Sequence, residues 1–265
     1  MESDLLKQAR YVWQKRGIFY VVKLLPAFAY KRTIRRLLPP TGDRYYDFIH
    51  QKYVKSKIFD DYLPSNKWLP GNKNKKRTYK NFHQSITESG SEVVIIGGGY
   101  GISTYYACQS VGENGHVTVY EASNNRVDII DKMSKKMNIY DRCKIIHGIV
   151  GDDGNVYEND SSYEEVEINE IGPCDVLELD CEGAELSILE KIDIKPNEIL
   201  CEVHGQYLDN PEEIVLILEE LEYEIRGYAS DSKTPLINID GSDIDIGEKV
   251  SEANGSVVLW ATRKY

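Results

Sequence analysis

Val93–Thr104 reads VVIIGGGYGIST, and how this stretch is read decides the fold. Four apolar β-formers stop at three glycines, Gly97, Gly98 and Gly99. After Tyr100 and Gly101 the chain resumes with residues that suit a helix. A short apolar run closed by glycine predicts a buried strand, then a tight turn, then a helix. Bare backbone at that turn lets a ligand approach the N–H groups without Cβ atoms in the way.

The pattern repeats outward from there. HVTVYEA (116–122), CKIIHGIV (143–150), CDVLELD (174–180) and EILCEVHG (198–205) predict four more strands. NNRVDIIDKMSKKMN (124–138) carries Val127, Ile130, Met133 and Met137 at helical spacing. GAELSILEKI (183–192) and PEEIVLILEELEY (211–223) read as helices, the latter with Pro211 at its start. YEIRGYA (223–229) and GSVVLWATR (255–263) are the last strands, with no clear helix between them. Alternating strand and helix with apolar strands predicts an α/β fold, a parallel sheet covered on both faces and ending in an antiparallel hairpin.

The 265-residue chain is acidic overall, at a net −11, but unevenly so. Up to residue 82 it holds 19 Lys and Arg against 6 Asp and Glu, a net of +13. The remaining 13 basic and 37 acidic residues give −24. The expected organisation is a basic, mainly helical N-terminal region over 1–82 and a ligand-binding α/β domain over 83–265. In the arm, Lys31, Arg32, Arg35 and Arg36 share one face if helical, and aromatics interleave with them. Such a helix suits an anionic membrane surface, a polyanion, or a lid packed on the acidic body. The acidic domain disfavours nucleic acid as substrate. No apolar run reaches the roughly 18 residues of a membrane span, and the N-terminus lacks a signal-peptide core. Five cysteines without a CxxC pair suggest reduced thiols in the cytoplasm and no zinc cluster.

Gly97, Gly99 and Gly101 are spaced G-x-G-x-G, and Ile102 follows where a dinucleotide fingerprint has its third glycine. That spacing suits a nucleoside ligand without a pyrophosphate, such as S-adenosylmethionine, and puts a dehydrogenase third among the readings. Glu121 closes the next strand about twenty residues on, where a carboxylate can accept hydrogen bonds from ribose hydroxyls.

From about Ser91 onward the sequence resembles FkbM-like S-adenosylmethionine-dependent methyltransferases. IGGGYGIST, YEAS and DVLELDCEGAELSIL carry the resemblance, the last through Asp180, Glu182, Gly183 and Glu185. It implies a Rossmann-like seven-stranded sheet and transfer of a methyl group to a hydroxyl of a sugar, glycan, glycolipid or secondary metabolite. By the same resemblance Gly97, Gly98, Gly99, Gly101, Glu121, Ala122 and Asp180 would line the cofactor, with the adenine near Gly148 and Ile149. The family's acidic residue two before the first glycine is replaced by Ile95. This departure leaves the methionine ammonium to a backbone carbonyl or Asp180, and Asp152 is a substitute contact for the adenine. It is also the one hint of the alternative, a non-catalytic nucleotide-binding module.

His204 ends a strand at the edge where ligands sit and is the candidate general base, with Asp180 and Glu202 beside it as catalytic candidates. Glu202 lies two residues before it, on the same strand face, placed to orient the imidazole. Glu182 and Glu185 read as carboxylates at a helix N-terminus. Asp180, Glu202 and His204 also form an alternative metal set, but the reading assigns no metal. Asp240–Glu248 is acidic without EF-hand spacing. His50, His83, His116 and His147 belong to no visible constellation.

Overall fold

The computed structural model describes residues 37, 40–47, 52–57, 77–151, 163–232, 234–239, 244–253 and 256–264. The chain divides into two compact units, Met1–Lys75 and Lys76–Tyr265. In the first, β1 (Pro40–Asp47) and β2 (Lys52–Lys57) pair as an antiparallel hairpin. The sequence reading expects mainly helix here. Tyr45, Tyr46, Tyr53 and Val54, all β-formers, fall at paired positions of this ladder, while most of residues 1–82 lies outside the described residues. The basic positions 31–36 lie outside the described residues.

The second unit opens with helix α1 (Arg77–Ser85), which runs through residue 82. Alternation then follows: β3 (Glu92–Ile96), α2 (Ile102–Val111), β4 (His116–Glu121), α3 (Asn124–Lys136), β5 (Cys143–Val150), β6 (Glu164–Val166), β7 (Val176–Leu179), α4 (Glu185–Lys191), β8 (Glu198–His204), α5 (Glu213–Glu220), β9 (Tyr223–Ala229), β10 (Ile237–Asn238), α6 (Ile246–Ser251) and β11 (Ser256–Arg263). One sheet holds nine strands in the order β10-β9-β11-β8-β7-β3-β4-β5-β6. The expected count of seven is therefore corrected to nine. The two extra strands, β6 and β10, are three and two residues long and extend the edges. Runs that short show no period-two pattern. The last strands β9 and β11 are antiparallel, as expected, but α6 lies between them. Asp245 caps α6 through a bond from the Glu248 N–H, a signal hidden inside an acidic loop.

The central strands are buried along their length, as parallel strands covered on both faces must be: β7 is buried at all four positions and β3 at four of five. One face packs Val94, Leu177, Leu179, Ile199 and Cys201 against Ile188 and Leu189 of α4 and Ile214 and Leu218 of α5. The other carries Ile95, Val119, Glu178 and Glu202 beneath α1, α2 and α3, judged from the cross-strand pairs and the contacts below.

The chain winds outward from β3 in two directions, through β4 and β5 on one side and β7 and β8 on the other. The carboxyl ends of β3 and β7 meet at this switch point, where open α/β sheets bind ligands.

Candidate active site

Two turns touch at the switch point. The Asp180 N–H donates to the Ile96 carbonyl at 2.9 Å. Gly97 has φ +96°, and a Cβ there would run into the Asp180 carbonyl oxygen, so only glycine lets the two strand ends approach. A Cβ on Gly98 would lie 2.5 Å from Val119 Cγ1, and one on Gly101 would lie 2.6 Å from Met133 Cε. Gly99 differs: its φ is +55°, and a Cβ there would face open space. The turn thus packs tightly behind and stays bare in front. Gly101 begins α2 without a side-chain cap, which leaves the helix's first N–H groups to other partners.

Glu121 closes the next strand and is 8% exposed. Its Oε2 accepts the Gly99 N–H at 2.6 Å and its Oε1 accepts the Ser123 N–H at 2.8 Å. Each oxygen keeps a further lone pair. Burial raises its pKa, against the opposing pull of those two N–H groups, Arg126 and His147. His147 pairs with Glu121 across β4 and β5, and its Nε2 donates to the Ala122 carbonyl at 3.0 Å. Gly148 and Ile149 follow directly on β5 and pair with β6. Asp152 lies outside the described residues.

A second group gathers at the ends of β7 and β8. His204 is 7% exposed. Its Nδ1 bonds Glu185 Oε1 at 2.8 Å. Its Nε2 faces Glu182 Oε2 at 3.5 Å, Asp180 Oδ1 at 3.7 Å and Glu202 Oε1 at 4.0 Å. Burial alone would lower the pKa of this histidine. The Glu185 bond and the charges of Asp180, Glu185 and Glu202 outweigh burial and raise it to about 9. Asp180, Glu202 and His204 are thus brought together, but the partner that orients the ring is Glu185. Glu202 is turned away: Oε2 accepts the Tyr79 hydroxyl at 2.5 Å and Oε1 accepts Ser256 Oγ at 2.6 Å.

Glu185 is fully buried and also accepts the Cys181 N–H at 3.1 Å and the Gly183 N–H at 2.8 Å. It serves the start of α4, as the sequence suggests, and holds the imidazole with the same carboxylate.

A buried set of polar residues, Tyr79, His83, Thr87, Ser103 and Glu178, escapes the sequence reading. His83 on α1 sends Nε2 to Glu178 Oε2 at 2.9 Å, and Ser103 Oγ donates to the same oxygen. Its Nδ1 bonds Thr87 Oγ1 at 2.9 Å. Glu178 is fully buried and pairs across the sheet with Ile95. Its Oε1 has no hydrogen-bond partner. Glu178 thus stands one strand over from Ile95, under the start of α2. A glutamate inside the apolar run VLEL was the available signal. Tyr79 and His83 lie one helical turn apart, a polar pair on one face of α1. Among the described residues His116 bonds the exposed Glu92, and His50 lies outside them.

Comparison with known proteins follows from this geometry. No family model matches the chain, and no curated relative does. Solved structures do resemble it. An O-methyltransferase from Bacillus cereus in complex with SAH is 14% identical, covering 69% of this chain and 80% of its own, at a TM-score of 0.44. A fibrillarin from Aeropyrum pernix with natively bound S-adenosyl-L-methionine is 10% identical, covering 71% and 76%, at 0.44. A ribosomal protein L11 methylase from Lactobacillus delbrueckii subsp. bulgaricus is 13% identical, covering 70% and 75%, at 0.43. TM-scores of this size are too low to carry the fold, which stands on its own strand order.

All five cysteines are free thiols. Among the described residues no helix is long and apolar enough to cross a membrane.

Proposed function

We propose that the protein is an S-adenosylmethionine-dependent O-methyltransferase of FkbM-like type, acting on a hydroxyl of a sugar, glycan, glycolipid or secondary metabolite. The observation that carries this reading is the pairing of the bare Gly97–Gly101 turn with Glu121, whose Oε2 accepts the Gly99 N–H. A nucleoside fits there: ribose on the spare lone pairs of Glu121, adenine against Ala122, Gly148 and Ile149. The uncapped first turn of α2 offers donors for a carboxylate. The unpartnered Oε1 of Glu178, beneath that turn, supplies negative charge for an ammonium and fits the methionine end.

S-adenosylmethionine would supply an electrophilic methyl on a sulfonium, a leaving group already in place. The protein's share is to hold the acceptor oxygen in line, which can be worth about 7–11 kcal/mol, and to relieve it of its proton. Asp180, Glu202 and His204 stand on the acceptor side of the cleft in this reading. Beyond them lies a cavity of about 500 Å³ lined by Tyr228, Ser230, Asp231, Lys249 and Ser256 among others. Ser256 links its wall to Glu202. Its wall is mainly apolar, through Tyr228, Ala253 and Val257, with Ser230, Asp231, Lys249 and Ser256 as polar points that an acceptor hydroxyl could bond. The proposed setting is cytoplasmic, with residues 1–82 making peripheral contact with anionic membrane and no nucleic-acid partner.

The test is a side-by-side calorimetric titration with S-adenosylhomocysteine and NAD. Saturable binding of the first alone is expected. Binding of NAD alone, or of neither, overturns the reading.

A further inference from the structure

The arrangement around His204 is that of a histidine oriented through one ring nitrogen, with carboxylates gathered at the other. Fixing one imidazole nitrogen with a buried carboxylate is how proteins orient a ligating histidine, because it sets the tautomer and aims the other nitrogen's lone pair. Glu185 does this here: it is fully buried, its bond to Nδ1 is 2.8 Å, and it is itself pinned by the Cys181 and Gly183 N–H groups. The other nitrogen, Nε2, belongs to a side chain more than nine-tenths buried, and among the described residues its neighbours include carboxylates at 3.5, 3.7 and 4.0 Å. It points at two carboxylates that belong to the turn after β7.

We propose that Asp180, Glu182 and His204 Nε2 bind a divalent transition-metal ion. One ligand atom from each lies within 4.8 Å of the other two. The Nε2 to Glu182 and Nε2 to Asp180 separations are 3.5 and 3.7 Å. Atoms that share one ion at about 2.1–2.2 Å stand about 3.0–3.5 Å apart in octahedral or tetrahedral geometry, so these two separations need to close by only a few tenths of an ångström. Asp180 is 15% and Glu182 29% exposed at the side chain, so the site opens to the cleft while its histidine is held within. Three protein ligands with open positions are the pattern of a catalytic rather than a structural ion. One imidazole and two carboxylates suit Mn²⁺ among the common candidates. The set differs from the alternative suggested by sequence: Glu202 is occupied by Tyr79 and Ser256, and Glu182 takes its place.

An ion here lowers the pKa of a hydroxyl placed on it, the activation that methyl transfer to oxygen requires. It also removes His204 from the role of base, since one lone pair cannot hold both a proton and a metal. This role rests on the methyltransferase reading above; the binding of the ion does not.

The experiment is Mn²⁺ titration of the metal-stripped full-length chain, followed by the loss of free-ion EPR signal, with no cofactor present. Saturable binding of one ion per chain is expected. Asp180→Asn, Glu182→Gln and His204→Gln should each weaken it at least about tenfold, and Glu185→Gln about 10–100-fold through the ring it orients. Glu219→Gln, on the exposed side of α5, should bind as wild type. Circular dichroism checks each variant's fold, and Glu182, partly exposed and outside the apolar core, is the position whose change is expected to disturb it least. No saturable binding by wild type up to about 1 mM, the weak end of divalent sites, overturns the proposal, as does unchanged binding in both Glu182→Gln and His204→Gln. S-adenosylhomocysteine is titrated separately without metal, so failure of the cofactor reading and failure of the metal site show up in different measurements.

Discussion

Replacing Glu121 with alanine isolates the ribose contact. The carboxylate is 8% exposed, and each oxygen already takes one backbone N–H, from Gly99 at 2.6 Å and Ser123 at 2.8 Å. Two ribose hydroxyls would take the spare lone pairs. A hydrogen bond to a charged group contributes about 1.5–3 kcal/mol. Losing one weakens binding about tenfold, and losing both about 10²–10⁴-fold, at about 1.4 kcal/mol per factor of ten. Water filling the vacated space recovers part of this, so about tenfold is the floor. Glu121→Ala also frees the Gly99 N–H and loosens the turn, which acts in the same direction. The assay is calorimetric titration with S-adenosylhomocysteine, with thermal unfolding run alongside. Affinity within about twofold of wild type in a folded Glu121→Ala protein, below even one lost bond, would refute the ribose assignment.

The same carboxylate sets a pH dependence. Its folded pKa is raised by burial, so the folded state binds the proton more tightly than the unfolded chain. Its contribution to stability is then present at low pH and lost as pH rises through the raised value. Cofactor affinity runs the other way, falling as acid protonates Glu121 above the ordinary glutamate range. Ser123, Gly99, Arg126 and His147 face this group, and Glu121→Gln should abolish its step in a binding series. Gly97→Ala combines a backbone at φ +96° with a collision against the Asp180 carbonyl, an expected loss of about 2–6 kcal/mol; chemical denaturation measures it, and a loss under about 1 kcal/mol would show that the two strand ends can part freely. Tyr79→Phe removes a buried bond to Glu202 and should cost about 1.5–3 kcal/mol in urea denaturation; no change would place that hydroxyl outside the stability of the unit. The full-length chain should co-sediment with phosphatidylserine vesicles at low salt and release as the Debye length falls from about 10 Å at 0.1 M to about 3 Å at 1 M; indifference to vesicles at every salt concentration removes the membrane role of the basic arm.

The alternation of strands and helices was legible because it rests on local pattern. Ile102–Val111 and Cys143–Val150 stand where apolar spacing puts them. So do the glycine turn and Glu121, since a strand end and the next strand's end are a fixed distance apart along the chain. What lies between distant segments was not legible. The short edge strands β6 and β10 and the six-residue α6 carry too few residues for a period to appear, and the hairpin strands PTGDRYYD and KYVKSK are too polar to show an apolar run. Glu185 read as a carboxylate at a helix start, and only the fold places it against His204, 19 residues on in the chain. Glu178 looked like an interruption of an apolar strand until the pairing of β3 with β7 set it beside Ile95. His83 stood alone until α1 packed over that face. Periodicity reports how one segment meets water and core. Which charges face each other across the switch point is decided by strand order, and strand order is a property of the whole chain.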